Sequence, residues 1–408
     1  MNADASPRFS PVRAIGWGLF LASSWTWVIG MWLPVRLMAD FGWPAWVAFA
    51  LPNVLGAMMV GFVLRRREAA AAWRERHAGA MRLFGLWTVL FHIAFLSWFL
   101  VNLTAFLPAS VQETKAGALL SPAAALWAVG MAWIVSRLRT GGALVTAGLT
   151  WLASLTFLVL ARGTSDGMAI HAPPAPTNAV WPGLVWSSVS LAFGFLLCPY
   201  LDFTILRARL EAPGRTGDGA FALGFGVFFL AMIVGTLLYA WAFTTGWGFN
   251  AWIGAHVLVQ SIFTMGVHMR EGRERGWIFD RARASRATVL AERAAVIGLV
   301  LVALSAVDAA RTGREGLYYN GFLWAYALAF PAYVWIAGVP RRDGLLRPGV
   351  LVGASVILAT PAFWFGAVEK HWAFLPLGVA IPLVAPLAAW ALPRRAIGGD
   401  SAPIEAPS

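Results

Sequence analysis

Long apolar runs, each close to 20 residues, recur from one end of the chain to the other and alternate with short polar segments. A run of that length crosses the roughly 30 Å hydrocarbon core of a bilayer as an α-helix. The alternation therefore predicts an all-α integral membrane protein with about twelve transmembrane helices. The predicted spans are 13–38, 43–64, 82–107, 118–136, 142–161, 181–205, 219–244, 249–269, 288–307, 318–338, 347–367 and 373–392.

Two of these spans carry similar polar interruptions. The first reads SSWTWVIGMWLP from Ser23 to Pro34, and the sixth reads SSVSLAFGFLLCP from Ser187 to Pro199. A helix that breaks at bilayer depth must line a cavity or be buried in protein, because its freed backbone groups need partners. Broken helices at corresponding places in two halves of a chain indicate the site of a transporter.

Basic residues concentrate in the loops on one side of the predicted membrane. Such an excess marks the cytoplasmic side, so both termini are predicted to be cytoplasmic and the protein to reside in the inner (cytoplasmic) membrane. The net charge of +12 therefore reflects orientation, and we expect contact with lipid headgroups and no nucleic-acid partner. The basic segments are 8–13, 65–82, 137–139, 207–215, 270–286, 341–347 and 394–395.

Composition agrees with this class, since 59% of the residues are hydrophobic and only 12% are charged. A single cysteine, Cys198, excludes an intrachain disulfide and a cysteine metal cluster. Enzyme signatures such as HExxH, GxSxG and a glycine-rich phosphate loop are missing, so we expect no enzyme activity and no cofactor beyond a coupling ion. A membrane acyl- or glycosyltransferase stays an alternative, with Asp166, His171 and Asp202 as its candidates.

Twelve spans divide into five, five and two. The first and sixth spans then run in opposite directions at the same position of two repeats, as in inverted-repeat transporters. We predict one membrane domain over 1–395, with repeats at 13–161 and 181–338 and two extra helices over 347–392. The remainder, 396–408, is predicted to be a disordered cytoplasmic tail.

Two stretches resemble the sodium/solute symporter family. The segment Ser23–Ala57 is similar to the family's first core helix and the helix after it, with small polar residues, a glycine and a proline at the break. The segment Gly194–Arg209 is similar to the end of its sixth core helix. The resemblance implies the leucine-transporter-type fold, a ten-helix core of two inverted repeats with broken helices 1 and 6.

The chain also departs from that family. Cys198-Pro199-Tyr200 stands where the family has Gln-Pro-His. The Ser/Thr pair that the family offers to sodium has no clear counterpart in the eighth span, which reads His256-Val257 with Gln260, Ser261 and Thr264 further along.

The function we expect is a secondary active transporter that moves a small solute by alternating access, with Na⁺ or H⁺ as the coupling ion. A non-transporting membrane sensor or assembly protein that retains the fold is an alternative. The predicted solute contacts at the two interruptions are hydroxyl groups, indole rings and a glycine. The alternative for the hydroxyls is that they bond to carbonyls of their own helices. These candidates, with two polar residues of the eighth span, are Ser23, Ser24, Trp25, Thr26, Trp27, Ser187, Ser188, Ser190, Gly194, Gln260 and Ser261.

Other polar residues carry predictions for the ion. His92 and His256 lie inside apolar runs and are candidates for proton coupling, or are neutral and hydrogen-bonded to a neighbouring helix. Asp202 and Tyr200 are candidates for a gate, with a helix cap as the other interpretation of Asp202. A Na⁺ site is predicted near Ser23, Ser24 and Gly30, where carbonyl oxygens of a broken helix face a cavity.

Overall fold

A computed structural model of the chain describes residues 9–104, 115–163, 180–244, 251–338 and 348–391. Over these residues the protein is helical and has no β-strand. Nine of the described helices are long and apolar enough to cross a membrane, or ten if one bent pair is a single span. The predicted all-α, multi-pass membrane protein is therefore confirmed at this level.

Three predicted features lie outside the described residues, namely the tail 396–408 and the transferase candidates Asp166 and His171. Two described apolar segments fall outside the count of nine or ten. They are a 25-residue helix over Ala251–Arg275, which carries two histidines and a glutamine in its apolar part, and a shorter stretch over Trp372–Leu387.

The helices are numbered in chain order. They are α1 (Pro11–Trp25), α2 (Val28–Phe41), α3 (Pro44–Val63), α4 (Arg67–Arg76), α5 (Ala78–Thr104), α6 (Lys115–Ser136), α7 (Thr140–Gly163), α8 (Trp181–Leu197), α9 (Phe203–Glu211), α10 (Gly214–Leu223), α11 (Leu230–Gly235), α12 (Leu237–Thr244), α13 (Ala251–Arg275), α14 (Arg286–Leu304), α15 (Ala306–Arg311), α16 (Glu315–Trp324), α17 (Phe330–Gly338), α18 (Pro348–Phe363) and α19 (Leu375–Ala391). Connecting turns are 3₁₀ at Cys198–Leu201 and Trp372–Phe374, and π-helical at Gly224–Phe229, Ala325–Ala329 and Trp364–Val368.

The first predicted span is broken, as its polar interruption indicates. α1 ends at Trp25, α2 begins at Val28, and the two axes are bent by 55°. The glycine and proline after the interruption are not the cause, because α2 runs through both Gly30 and Pro34 without interruption. The break lies at Thr26 and Trp27, and Trp27 has the extended backbone of a helix N-cap.

The sixth predicted span runs unbroken past its serine pair. α8 is continuous through Ser187 and Gly194, because the Ser187 hydroxyl bonds to a carbonyl of its own helix and frees no backbone group. The helix ends where Pro199 enters a 3₁₀ turn, since proline lacks the N–H that the helix needs. Asp202 then caps the short helix α9 by accepting the Thr204 N–H at 2.6 Å.

Burial separates the helices into a centre and a periphery. α5 is central, with 83% of its apolar window buried, and it packs against α13, which also contacts α6 and α7. α1 packs against α7 and α10, and α8 packs against α3. α14 lies at the opposite extreme, with only 11% of its window buried. The sites of interest are therefore built around α1, α5, α8 and α13.

The contact between α3 and α8 depends on a residue without a side chain. A Cβ atom at Gly56 of α3 would lie 2.0 Å from the Phe195 carbonyl oxygen of α8. Small residues of this kind allow membrane helices to approach backbone to backbone. In contrast, a Cβ at Gly130 of α6 would meet no atom within 4 Å.

We therefore expect Gly56→Ala to destabilise the protein and Gly130→Ala to leave its stability unchanged. The first change forces α3 away from α8, at a cost of about 1–3 kcal/mol or more, as for other overpacked sites. The thermal unfolding midpoint of the detergent-purified protein measures both effects. Equal midpoints for the two variants would contradict the close contact.

Candidate functional site

The break between α1 and α2 leaves the last carbonyls of α1 without helical partners. Donors inside the protein occupy all four of these carbonyls, so the break needs neither water nor lipid to satisfy them. Ala22 accepts the Thr26 N–H and hydroxyl at 3.0 and 2.8 Å, Ser23 accepts the Thr264 hydroxyl at 3.2 Å, Ser24 accepts the Trp27 indole N–H at 2.6 Å, and Trp25 accepts the Trp27 N–H at 2.9 Å.

His92 of α5 satisfies the other side of the break. Its Nε2 accepts the N–H of Val28, the first residue of α2, at 3.4 Å, and its Nδ1 lies 2.7 Å from the Thr88 carbonyl. Both bonds form together only in the neutral tautomer that carries its proton on Nδ1. The structure therefore places His92 as a neutral hydrogen-bonding partner of the broken helix, which was the second of its two sequence interpretations.

Trp27 fills the space below the bend. Its ring lies 4.3 Å from that of Trp25, 5.3 Å from Phe84, 5.4 Å from Tyr326 and 5.7 Å from His268. Aromatic pairs at such separations stabilise a packed interior beyond the area they bury. Trp27 thus connects the break to α5, to α13 and to the π segment after α16.

A cavity lies beside this cluster, between the broken helix and α8. Most of its lining is aromatic or aliphatic, with a few polar groups from Asn53, Ser190, Cys198 and Tyr326. Its volume of about 60 Å³ holds a few water molecules at most, so it is a narrow space in this conformation. The lining residues are Trp25, Trp27, Ile29, Gly30, Leu33, Asn53, Ser190, Leu191, Gly194, Phe195, Cys198, Leu323, Tyr326 and Ala327.

A second, larger cavity of about 290 Å³ lies further from the bend and, like the first, borders α2 and α16. Arg36 reaches it from α2, where the guanidinium lies over the Tyr319 ring and donates to Asn320. Phe91 lines this outer cavity and contacts Tyr326, which lines the inner one, at 5.9 Å between ring centroids. The two cavities therefore form successive compartments separated by aromatic rings.

Four of the predicted solute contacts line the inner cavity, and they are Trp25, Trp27, Ser190 and Gly194. Gly30, from the predicted sodium site, lines it as well. The other hydroxyls do not. Ser24, Thr26, Ser187 and Ser188 donate to carbonyls of their own helices, and the buried Ser23 hydroxyl donates to Ala147 of α7 at 3.0 Å. These four helix-internal bonds follow the alternative interpretation that the sequence left open.

The candidates of the eighth predicted span lie on α13, away from the inner cavity. Gln260 donates to the Ser154 hydroxyl of α7 at 2.8 Å, and the ring of His256 lies 6.1 Å from that of Tyr239. Ser261 is fully buried, and its hydroxyl makes no hydrogen bond within the described residues. Thr264 lies one helical turn beyond Ser261 and contacts the broken end of α1.

Asp202 and His268 form a buried pair below the break. Both side chains are almost completely enclosed, and Asp202 Oδ2 lies 3.8 Å from His268 Nε2. Asp202 uses Oδ1 to cap α9, while Oδ2 and both ring nitrogens of His268 make no hydrogen bond in the described part of the chain. A proton on His268 would convert this contact into an ion pair, so the pair is a chemically competent proton site.

Asp202 therefore faces His268 and caps α9, and the helix cap is one of its two sequence interpretations. The arginines nearby pair with glutamates instead. Arg207 of α9 bonds to Glu271 and Glu274 at the end of α13. Burial lowers the pKa of the Arg207 guanidinium, but these carboxylates outweigh burial and hold the pKa above its ordinary value. This cluster fastens α9 to α13 on the arginine-rich face.

Tyr200, the other gate candidate, lies in the 3₁₀ turn between α8 and α9. Its carbonyl accepts the Trp73 indole N–H of α4 at 2.8 Å, and the two rings are 5.7 Å apart. Tyr200 therefore fixes the turn to α4 and lies outside the lining of both cavities.

Sequence reasoning missed His268 and Asn53. A signal for His268 exists, because Ser261, Thr264 and His268 recur at helical spacing and form a polar stripe on one face of an apolar helix. Among the described residues, no three or more His, Cys, Asp or Glu side chains form a group that could hold a metal ion.

No protein-family model matches the chain, and no curated protein sequence matches it.

We expect His92→Leu to destabilise the fold by about 1–3 kcal/mol, because it leaves the buried Val28 N–H without an acceptor. Ser97→Ala on the same helix is the matched control. Ser97 is equally buried, but its hydroxyl bonds only to its own helix at Ile93, so its loss leaves no donor unpaired. Chemical denaturation monitored by tryptophan fluorescence compares the two. A His92→Leu variant as stable as Ser97→Ala would contradict this role.

Proposed function

We propose that the protein is a secondary transporter that moves a small, largely apolar solute through the membrane by alternating access. The observation that carries the proposal is the break in the first span beside a narrow, largely apolar cavity, with the last carbonyls of α1 bonded inside the protein. Broken helices at bilayer depth are characteristic of transporter sites. The inner cavity and the larger outer one provide two compartments through which a solute would pass.

Helix packing supports the two inverted repeats of five spans. α1 belongs to span 1 and packs against α10 of span 7, while α8 forms span 6 and packs against α3 of span 2. Each of these contacts becomes the other when span n of one repeat is exchanged with span n + 5 of the other repeat. The same operation exchanges α5 and α13, the third and eighth spans, which pack against each other at the centre. The first and sixth spans therefore have equivalent neighbours, as an inverted repeat requires.

The lining of the inner cavity indicates the solute class. Its walls are chiefly indole, phenyl and aliphatic groups, which favour an apolar or aromatic body. Asn53 uses its side-chain oxygen to accept the Trp25 indole N–H at 2.9 Å, while the Ser190 hydroxyl makes no hydrogen bond in the described part of the chain. One or two hydrogen-bonding groups on the solute would match these side chains.

The coupling ion that the geometry favours is H⁺. The Ser23 and Ser24 carbonyls of the predicted Na⁺ site already accept hydrogen bonds from Thr264 and Trp27, whereas Asp202 and His268 have unused atoms that face each other. The charged and titratable groups around the pair are His92 on α5, Glu271 on α13, Tyr326 on the π segment and Arg207 on α9, and Arg207 is engaged by Glu271. Movement of α9 relative to α13 would change the distance across the pair and hence its hold on a proton.

Uptake into proteoliposomes tests the site. With labelled aromatic amino acids and nucleobases as the panel, we expect Ser190→Phe to reduce uptake more than tenfold, because the ring fills the inner cavity. Val189→Phe adds the same ring to the adjacent, exposed position of α8 and is expected to transport normally. Thermal midpoints establish that both variants fold. Solute binding without uptake by the wild type would favour the sensor alternative.

Imposed gradients of pH or Na⁺ across the proteoliposome membrane test which ion drives uptake. We expect a pH gradient to drive uptake in the wild type, and Asp202→Asn and His268→Gln each to abolish that dependence while solute exchange continues. His256→Gln is the control, because His256 lies on another face of α13, and it should respond as the wild type does. Uptake driven by Na⁺ and lost in Thr264→Ala would instead assign the coupling to the carbonyls of the α1 break.

A further inference from the structure

α14 contacts α5 but is otherwise largely exposed. A cleft of about 860 Å³ opens between α14 and the helices α5, α6 and α13. The walls of the cleft are apolar along most of their length, with Leu90 on α5, Val129 on α6 and Val300 and Leu304 on α14 among them. An apolar cleft between membrane helices presents its walls to lipid.

One end of the cleft is strongly basic. Four arginines line it there: Arg137 directly after α6, Arg273 at the end of α13, Arg281 in the following loop and Arg293 of α14. Arg137 and Arg293 are exposed and form no ion pair within the described residues, and the buried Nε of Arg273 makes no hydrogen bond there. This end lies on the face whose arginine-rich loops are predicted to be cytoplasmic.

One carboxylate, Glu292, lies in the described lining. Glu292 is buried, and its two oxygens accept the backbone N–H groups of Trp277, Ile278 and Phe279 at 3.1, 3.0 and 2.9 Å. Glu292 thereby fixes the loop that brings Arg281 to the cleft. Its charge offsets one of the four arginines, and Glu274 lies 3.9 Å from Arg273, so the mouth of the cleft keeps a net positive charge.

The dimensions match one leaflet of a bilayer. Arg293 and Leu304 are eleven residues apart on α14, which corresponds to roughly 16 Å along a helix axis. Half of the hydrocarbon core measures roughly 15 Å. A molecule with its charged group among the arginines would therefore extend its apolar part to the depth of Leu304.

We propose that the cleft between α14 and the bundle is a binding site for an anionic phospholipid, with the phosphate among Arg137, Arg273, Arg281 and Arg293 and an acyl chain against Val129 and Val300. Basic pockets between membrane helices on the cytoplasmic side bind anionic headgroups in this way. The site is distinct from both cavities along the broken helix and does not depend on transport.

Native mass spectrometry of the full chain, released from neutral detergent, tests the proposal. Dioleoyl phosphatidylglycerol and dioleoyl phosphatidylcholine serve as probes, because their acyl chains are the same and only the first carries a net negative charge. We expect one phosphatidylglycerol molecule to stay bound at concentrations where phosphatidylcholine dissociates. Inorganic phosphate, added alone, distinguishes a lipid site from a site for the free anion and is expected not to bind.

Charge variants probe the headgroup end. Each surface arginine contributes roughly a fivefold change in affinity for anionic lipid, so we expect Arg137→Gln with Arg293→Gln to weaken phosphatidylglycerol binding about 25-fold. Both residues are exposed, and folding should be unaffected. Arg66→Gln removes an exposed arginine of the same face that does not line the cleft, and it should bind as the wild type does.

A variant with unchanged charge probes the apolar end. Val300→Trp fills the cleft where the acyl chain is placed and is expected to displace the lipid, and the thermal midpoint establishes that it folds. The proposal is overturned if phosphatidylcholine binds as tightly as phosphatidylglycerol, if inorganic phosphate binds equally well, or if Arg66→Gln weakens binding as much as the double variant. Retention of a polypeptide in place of lipid at the cleft would likewise overturn it.

Discussion

The hydrogen bonds at the bend between α1 and α2 are the constraint on which the rest of the structure depends. Each unpaired backbone group inside a membrane costs several kcal/mol, so a broken helix survives only where side chains supply partners. Here the partners come from the chain around the bend, from α5 through His92 and from α13 through Thr264. Those two helices must therefore lie against the broken one, and this requirement fixes the central arrangement of the bundle.

The same requirement explains why polar residues concentrate on α5 and α13. His92, Thr88 and Tyr326 form a connected set, since the Thr88 carbonyl bonds to His92 and the Thr88 hydroxyl lies 2.8 Å from the Tyr326 hydroxyl. On α13 the stripe of Ser261, Thr264 and His268 continues from the bend toward the cluster around Arg207. A polar route thus runs along the otherwise apolar centre from the break to the arginine-rich face.

Much of the architecture could be predicted from the sequence because long apolar runs have few structural solutions in lipid. The break in the first span was also predictable from its cluster of small polar residues. Its position was not, because α2 accommodates both Gly30 and Pro34, and the break falls at Thr26 and Trp27, where His92 from a distant part of the chain accepts the Val28 N–H. In the sixth span a proline does end the helix, because Pro199 lacks the backbone N–H that α8 would need to continue. The serine pair of that span leaves the helix intact.

The site itself was only partly predictable. Tryptophans and Ser190 around the interruptions do line the inner cavity, but hydroxyls such as Ser24 and Ser187 turn back onto their own helices, and a sequence does not specify that choice. Pairs that meet across elements, such as Asp202 with His268, depend on how α9 and α13 pack and leave no local pattern. The sodium/solute symporter resemblance stays a prediction, as does the twelve-span count.

The π segment at Ala325–Ala329 gives the wall of the inner cavity a particular mechanical character. A π turn contains one residue more than an α turn, and the surplus can pass along a helix while most of its hydrogen bonds persist. Tyr326 and Ala327 lie within this turn, and a Cβ at Gly194 of α8 would come within 3.1 Å of the Tyr326 carbonyl oxygen. Displacing the surplus by one position would rotate Tyr326 by roughly 100° about the helix axis. Such a displacement of the extra residue would change the shape of the inner cavity without moving an entire helix.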